Sequence, residues 1–380
     1  MATHYADSAG LQGTGDGSSA ANACTLVSAI TNNAANVNSL AAGLNAGDTI
    51  YCKNGTTITF NGAAAVFATL VQVGTTTAPI RCIGYASTVG DGGIVQITDS
   101  NAGATNNCFA MTTIDYWHFE NFKLNNVRDG WSNYRDGNLF VNCAVYGHTA
   151  QGWESAANTG DVNKYIACIA ANGLDGFASL GRSPVFVNCV AINNSGDGFR
   201  VGNANYGAHL TNCIAHKNGD DGFVLTGECT LINCVSNRNT GDGYEIADSD
   251  HPTVFVNCGA TSNGGYGVNG VVNTQIVAIN CGLNPTNESN TSGEAHANVT
   301  LYKLADKTGD PDFTDSNPVT ATNVDLSLSS TSAWKAAGLE FYSGWMNTRN
   351  YQDVGVAQRQ EAAAGGGLLT HPGWSGGMRG

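Results

Sequence analysis

Four stretches of the chain can be laid over one another: Phe186–Val201 (FVNCVAINNSGDGFRV), Leu210–Leu225 (LTNCIAHKNGDDGFVL), Leu231–Ile246 (LINCVSNRNTGDGYEI) and Phe255–Val268 (FVNCGATSNGGYGV). Looser copies start at Phe140 (FVNCAVYG), Tyr165 (YIACIAANGLDGF) and Ala278 (AINCGLN). Working outward, the cysteines Cys143, Cys168, Cys189, Cys213, Cys234, Cys258 and Cys281 follow one another at 25, 21, 24, 21, 24 and 23 residues. The aromatic residues Trp131, Trp153, Phe177, Phe199, Phe223, Tyr244 and Tyr266 run at 22, 24, 22, 24, 21 and 22. Two separate series with one period define an internal repeat of about 22 residues.

Each repeat holds two short apolar runs rich in Val, Ile and Phe, parted by Asn, Gly and Asp. Runs this short and β-branched are strands, not helices. Strands recurring at this period stack as parallel sheets, because one coil cannot bury its own apolar face and a stack can. A leucine-rich repeat is excluded by the missing LxxLxLxxN pattern. The expected fold is all-β: a single-stranded right-handed parallel β-helix. Residues 48–300 give about 11 coils and, at about 4.8 Å per coil, a rod about 50 Å long.

The Asn-Cys-apolar and Gly-Asp-Gly-aromatic pattern resembles the pectate-lyase-like superfamily of right-handed β-helix proteins, with their short parallel β-helix repeats. The same architecture serves phage tailspikes and virion surface proteins. The resemblance covers about residues 3–358. It implies a cap over 1–47, with an amphipathic helix whose stripe is Leu26, Val27 and Ile30, then a β-helix over 48–300. It further implies an irregular closing segment over 301–358, on Thr308–Gln358 (TGDPDFTDSNPVTATNVDLSLSS, then YQDVGVAQ). The fold hosts lyases, hydrolases, epimerases, tailspikes and adhesins alike, so function has to come from a site.

The chain has 380 residues, a net charge of -14 and only 12% charged residues. An acidic surface repels phosphate backbones, which argues against nucleic acid as a partner. No run of 18 apolar residues marks a membrane span. Met1–Gly17 has neither a basic nor an apolar region, so no secretory signal is expected. The 12 cysteines are too many and too regular for a small disulfide scaffold, and no CxxC-type spacing offers a metal set. They are expected to be a column of small buried thiols, suited to assembly in a reducing cytoplasm. Val187, Cys189 and Ala191 are placed on one face by simple strand alternation.

Asn142, Asn188, Asn212, Asn233, Asn257 and Asn280 each precede a ladder cysteine and are expected to stack at a bend, amide on amide. In the row Asp129, Asp175, Asp197, Asp221 and Asp242, each Asp is expected to cap a turn. The following Gly would take a positive φ, and the aromatic residue would enter the core. The sharper reading of this row is a calcium or acid–base site. Its densest place combines Lys217 and Arg238, four residues after their cysteines, with Asp220, Asp221, Asp242 and Glu245. A polysaccharide lyase needs a base and carboxylate-binding cations, and Lys217, Arg238, Asp221 and Asp242 are the candidates for that chemistry. The ordinary reading is a solvated turn with surface ion pairs. His251 is a weaker candidate for the same chemistry, and the aromatics Trp117, Tyr134, Tyr146 and Tyr206 are weaker candidates for stacking on a glycan.

Residues 359–380 form a Gly-rich tail expected to be flexible, with Leu368, Leu369, Trp374 and Met378 as apolar anchors for docking onto a neighbour or larger assembly. The sequence therefore favours a non-enzymatic structural or adhesive protein, a virion-surface, decoration or fibre protein of a phage-like particle. It would be oligomeric or docked through the tail, and made without a cofactor. An enzyme acting on an acidic glycan, or a bacterial extracellular matrix protein, are the alternatives.

Overall fold

A computed structural model describes residues 1–302, except 11, 15, 32–43, 61–65, 71, 101–106, 112–113, 134, 156–161, 249–250, 271–275, 280 and 284–298. The closing segment beyond Tyr302, the tail anchors Leu368, Leu369, Trp374 and Met378, and Tyr134 and Asn280 lie outside the described residues.

The chain is a right-handed parallel β-helix. Among the described residues three parallel sheets hold 13, 10 and 9 strands, here called sheets A, B and C. One coil shows the plan: Val185–Val187 in sheet A, Val190–Ile192 in sheet B, Phe199–Gly202 in sheet C, then a loop to the next sheet A strand. Phe119, Phe140, Tyr165, Phe186, Leu210, Leu231, Phe255 and Ala278 pair in register, so successive coils take 21, 25, 21, 24, 21, 24 and 23 residues. Every coil enters its neighbour by the same right-handed crossover that governs parallel β connections. No described helix is long and apolar enough to cross a membrane.

In the seven described coils whose sheet A strands run from Trp117–Glu120 to Thr253–Val256, a left-handed residue turns sheet A into sheet B. Asn121, Asn142, Asn188, Asn212, Asn233 and Asn257 have φ between 50° and 64°, with Ala167 at 53° in the remaining coil. Asn is the non-glycine residue that tolerates this region best. Its amide then staples the coils: Nδ2 of Asn142, Asn212, Asn233 and Asn257 donates to Oδ1 of Asn121, Asn188, Asn212 and Asn233 at 2.7–3.1 Å.

This bend corrects the simple alternation. Phe186, Cys189 and Ala191 all point inward and are fully buried, while Val187 points outward and is half-buried. All 12 cysteines are free and buried. The thiols of Cys143, Cys168, Cys189, Cys234 and Cys258 lie against the preceding coil's carbonyls, as Cys189 Sγ on Tyr165 O at 3.3 Å. Burial pushes the Cys143 thiol up to about 12, which leaves it without nucleophilic thiolate at neutral pH.

The core is a pair of ring stacks. Trp131, Trp153, Phe177, Phe199, Phe223 and Tyr244 stack at 4.7–5.3 Å between centroids, nearly coplanar from ring to ring. Phe119, Phe140, Tyr165 and Phe186 form the second stack from sheet A. Tyr266 does not continue the first stack: Val268 pairs with Tyr244, and Tyr266 is half-buried in the turn before it.

At the amino end the short helix Leu26–Thr31 caps the rod. Leu26 is buried as expected and Ala29 beside it, Val27 is only half-buried, and the side chain of Ile30 is outside the described ones.

Candidate functional site

The Asp row lies in the turns that lead into sheet C. Oδ1 of each member accepts the N–H of the equivalent residue in the next coil: Asp129 from Gln151 at 3.0 Å, Asp175 from Asp197 at 3.1 Å and Asp197 from Asp221 at 3.2 Å. Asp221 accepts from Asp242 at 2.5 Å, and Asp242 from Tyr266 at 2.6 Å. The capping expectation is thus met across coils.

The glycine that follows each Asp serves another purpose than the one expected. Gly130, Gly176, Gly198, Gly222 and Gly243 are not among the positive-φ glycines. They are needed for space: a Cβ on any of them would lie 2.5–2.7 Å from the carbonyl oxygen of the next coil's glycine. Any side chain there would push two coils apart.

Beside the row runs an outward column of sheet C, in which Glu154, Ala178, Arg200, Val224, Glu245 and Asn269 are in register. Arg200 reaches back to the row. Its Nη2 donates to Asp175 Oδ2 and Asp197 Oδ2, both at 3.0 Å, and its Nε donates to Asp197 Oδ2 at 3.1 Å. Burial works against the charge of Arg200, but Asp175, Asp197 and Asp220 outweigh it and hold its pKa above the usual value. Burial raises the Asp197 pKa from its ordinary value, with Arg200 opposing. Burial likewise raises Asp129, and Glu154 adds to it.

One coil further on there is no second Arg200, because Val224 stands in its column. There Asp221 is pushed up to about 7, by burial first and then by Glu245 and Asp242. Asp242 Oδ2 accepts from Asn269 Nδ2 at 2.7 Å. The carboxylates thus meet here without the guanidinium that serves Asp175 and Asp197.

Asp221 and Asp242 are therefore brought together as expected. Lys217 and Arg238 stack on each other's turns, Lys217 N–H donating to Asn237 O at 3.0 Å. Both take the left-handed position after a sheet B strand, with φ of 54° and 57°, the position held by Asn126, Asn172 and Asn193 in earlier coils. Their first role is thus to turn the chain.

Asp197, Asp220 and Asp221 each bring a carboxylate oxygen within 4.8 Å of the others. Such an all-oxygen set suits a hard cation like Ca²⁺. The fit is partial, since Asp197 already holds Arg200 on Oδ2 and a backbone N–H on Oδ1.

The weaker candidates have scaffold roles. His251 Nδ1 lies 2.9 Å from Asp248 Oδ2. Trp117 is buried with its N–H donated to Gln72 O at 2.7 Å. Tyr146 and Tyr206 lie under Lys123 and Arg182, each 4.6 Å from the ring centroid.

Two features escaped the sequence reading. Arg200 is the lone cation in its column and has no repeat partner to signal it. A second amide ladder, Asn194, Asn218, Asn239 and Asn263, is fully buried in the B-to-C turns. Its Nδ2-to-Oδ1 bonds run from each residue to the next at 3.1, 2.9 and 2.9 Å.

The family described as "Right handed beta helix region" matches residues 107–283. No curated protein matches the sequence. Among solved structures, pectate lyase Pel9A is similar at 20% identity with a TM-score of 0.64, over 95% of this chain and 97% of that one. An alginate lyase from Paenibacillus sp. str. FPU-7 is similar at 13% identity and TM-score 0.49, over 80% and 97%. Geobacillus virus E2 ORF18 is similar at 14% and 0.40, over 78% and 60%. Residues 107–283 match a right-handed β-helix region, and the described residues share the β-helix fold of pectate lyase Pel9A.

Proposed function

We propose that this protein is a non-enzymatic structural or adhesive rod, a virion-surface, decoration or fibre protein of a phage-like particle. The observation that carries the reading is the use made of the Asp row. From Asp129 to Asp242 each Oδ1 accepts a backbone N–H of the next coil. The guanidinium of Arg200 is taken up by Asp175 and Asp197. A β-elimination site needs a base and a cation aimed at substrate. Here the Oδ1 atoms of the row are aimed at backbone and Arg200 is aimed at Asp175 and Asp197, as in a scaffold. Amide ladders and ring stacks repeated coil after coil suit a rod that has to stay rigid outside a cell. The anchors Leu368, Leu369, Trp374 and Met378 would attach it to the particle or to further copies.

The test is a screen of the purified protein on acidic and neutral polysaccharides, with and without calcium, following new reducing ends and the ultraviolet absorbance of unsaturated products. No cleavage is expected. Cleavage that disappears in the Lys217→Ala or Asp242→Ala variant would overturn the reading.

A second reading, an enzyme acting on an acidic glycan, is favoured by one observation: Asp221, at about 7, can exchange a proton near neutral pH. In that case Asp197, Asp220 and Asp221 would hold calcium, and Lys217 or Arg238 would meet the substrate's carboxylate. The likeness in fold to a pectate lyase makes acidic polysaccharides the first substrates to try.

A further inference from the structure

A cleft at the C-to-A loops, on the outer side of sheet A, shares no residue with the Asp row. Its volume is about 370 Å³, and Thr75, Thr76, Tyr116, His118, Val162 and Lys164 border it. That size holds one small ligand. Tyr116 stands at its wall with φ of 57°, a conformation that a bulky aromatic residue adopts only when its surroundings enforce it. Its N–H donates to Asp136 O, and its carbonyl accepts from Ile80 N–H, both at 3.0 Å. Gly137 makes room, since a Cβ there would strike the Tyr116 ring. Backbone on both sides thus holds the ring at the cleft.

The polar groups are also set. His118 Nδ1 accepts from Arg81 Nε at 3.4 Å, which leaves the proton on Nε2. Burial, and then Arg81, lower the His118 pKa to about 4, so the ring is a neutral N–H donor at pH 7. That Nε2 is buried, 3.4 Å from Glu120 Oε2. Arg81, His118, Leu139 and Lys164 succeed one another in register along one outward column. Arg81 and Lys164 are exposed. The chain has 30 Asp and Glu against 16 Lys and Arg. Yet neither cation forms an ion pair with a carboxylate among the described residues.

We infer that this cleft binds an anionic sugar residue, the Tyr116 ring taking the apolar face of the pyranose and Lys164 taking its carboxylate or sulfate. Thr75 and Thr76, which border the cleft, supply the hydrogen bonds for its hydroxyls. The inference deepens the adhesive reading and rests on it, by naming the surface and the class of glycan that the rod would hold.

The experiment is saturation-transfer NMR on the full chain with glucuronate, glucose 6-sulfate and glucose, which differ only at carbon 6. Transfer to one or both anions is expected to exceed that to glucose by about threefold, as a solvent-screened ion contact gives. The anion that responds identifies carboxylate or sulfate as the group bound. The Lys164→Glu variant should erase that preference. In the Tyr116→Asn variant the new residue suits the left-handed backbone, so the fold is kept and transfer to all three sugars should be lost. Equal transfer to glucose and both anions, no transfer to any of them, or transfer unchanged in both variants would each overturn the cleft. Polymer cleavage in the screen above would instead overturn the non-enzymatic reading and leave the cleft result standing.

Discussion

Asn194, Asn218 and Asn239 each lie three residues before Asp197, Asp221 and Asp242, so an amide ladder and a carboxylate row share the same turns. Both use a side-chain oxygen to accept a backbone N–H from an adjacent coil. They differ in what is left over. An amide also donates, so Asn218 Nδ2 continues to Asn239 Oδ1 and to Ala191 O, and the ladder closes on itself without charge. An ionised carboxylate only accepts. Its second oxygen therefore needs a donor from outside the row, which Asp175 and Asp197 find in Arg200 and Asp242 finds in Asn269, while Val224 in that column offers Asp221 none. Stacking neutral groups at the coil spacing is scaffold; stacking charges at the same spacing leaves a residue of electrostatic energy at one place, Asp221.

The largest break of the comparison is to move the carboxylate into the ladder. In the Asn218→Asp variant a buried acceptor replaces the donor that serves Asn239 Oδ1, and a charge replaces a neutral group. Loss of about 4 kcal/mol is expected at pH 7, from an unmet buried acceptor together with a buried charge. Acid should restore part of it, because the protonated carboxyl donates again. Urea unfolding at pH 4 and pH 8 measures both. A loss that does not change with pH would mean that packing, and not the missing donor, sets the cost.

A smaller effect is expected from removing the cation that the row does have. Arg200→Met leaves Asp175 and Asp197, 4% and 6% exposed, facing each other unpaired. A fully buried broken pair costs more, but the Arg200 side chain is 42% exposed, so solvent screening reduces the expected loss to about 2 kcal/mol. The loss should fade as pH drops and Asp197, whose pKa is already raised by burial, protonates. Equal stability of variant and parent at pH 8 would remove Arg200 from the account.

The ladders differed as much in how well they could be read from sequence. The Asn before each cysteine was legible because it repeats in one frame and has a known talent for the left-handed bend. The buried ladder at Asn194 was not, because polar residues on either side, as in Asn193-Asn194-Ser195 and Lys217-Asn218-Gly219, look like ordinary turn. The glycines were legible as necessary but not in their reason: close approach between coils and positive φ leave the same letter in a sequence. Tyr266 shows the limit of counting, since a period of about 22 placed it in the ring stack while the register gave that place to Val268. Arg200 and the cleft at Tyr116 have no repeat behind them, so periodicity was silent about both. Assembly of Arg81, His118 and Lys164 into one column needs coil lengths that only the register supplies.

The last test sharpens the comparison by running it the other way, from carboxylate to amide. Asp221→Asn keeps an oxygen for the Asp242 N–H and turns an acceptor toward Glu245 into a donor. In the parent the folded-state pKa of Asp221 is raised to about 7, above the usual carboxylate value near 3.9 expected when unfolded. A raised folded pKa gives a contribution that is complete below the unfolded value and is lost as pH climbs through the folded one. The parent should therefore lose stability between about pH 4 and pH 7 through this group, and the variant should not. Allowing for a side chain that is only half-buried, the gap at pH 8 should be about 1–2 kcal/mol in favour of the variant and should close by pH 4. Melting curves across that range decide it. A variant less stable than the parent at pH 8 would mean that the carboxylate has a use in the resting protein, such as holding a cation. The Asp row would then pass from scaffold to site.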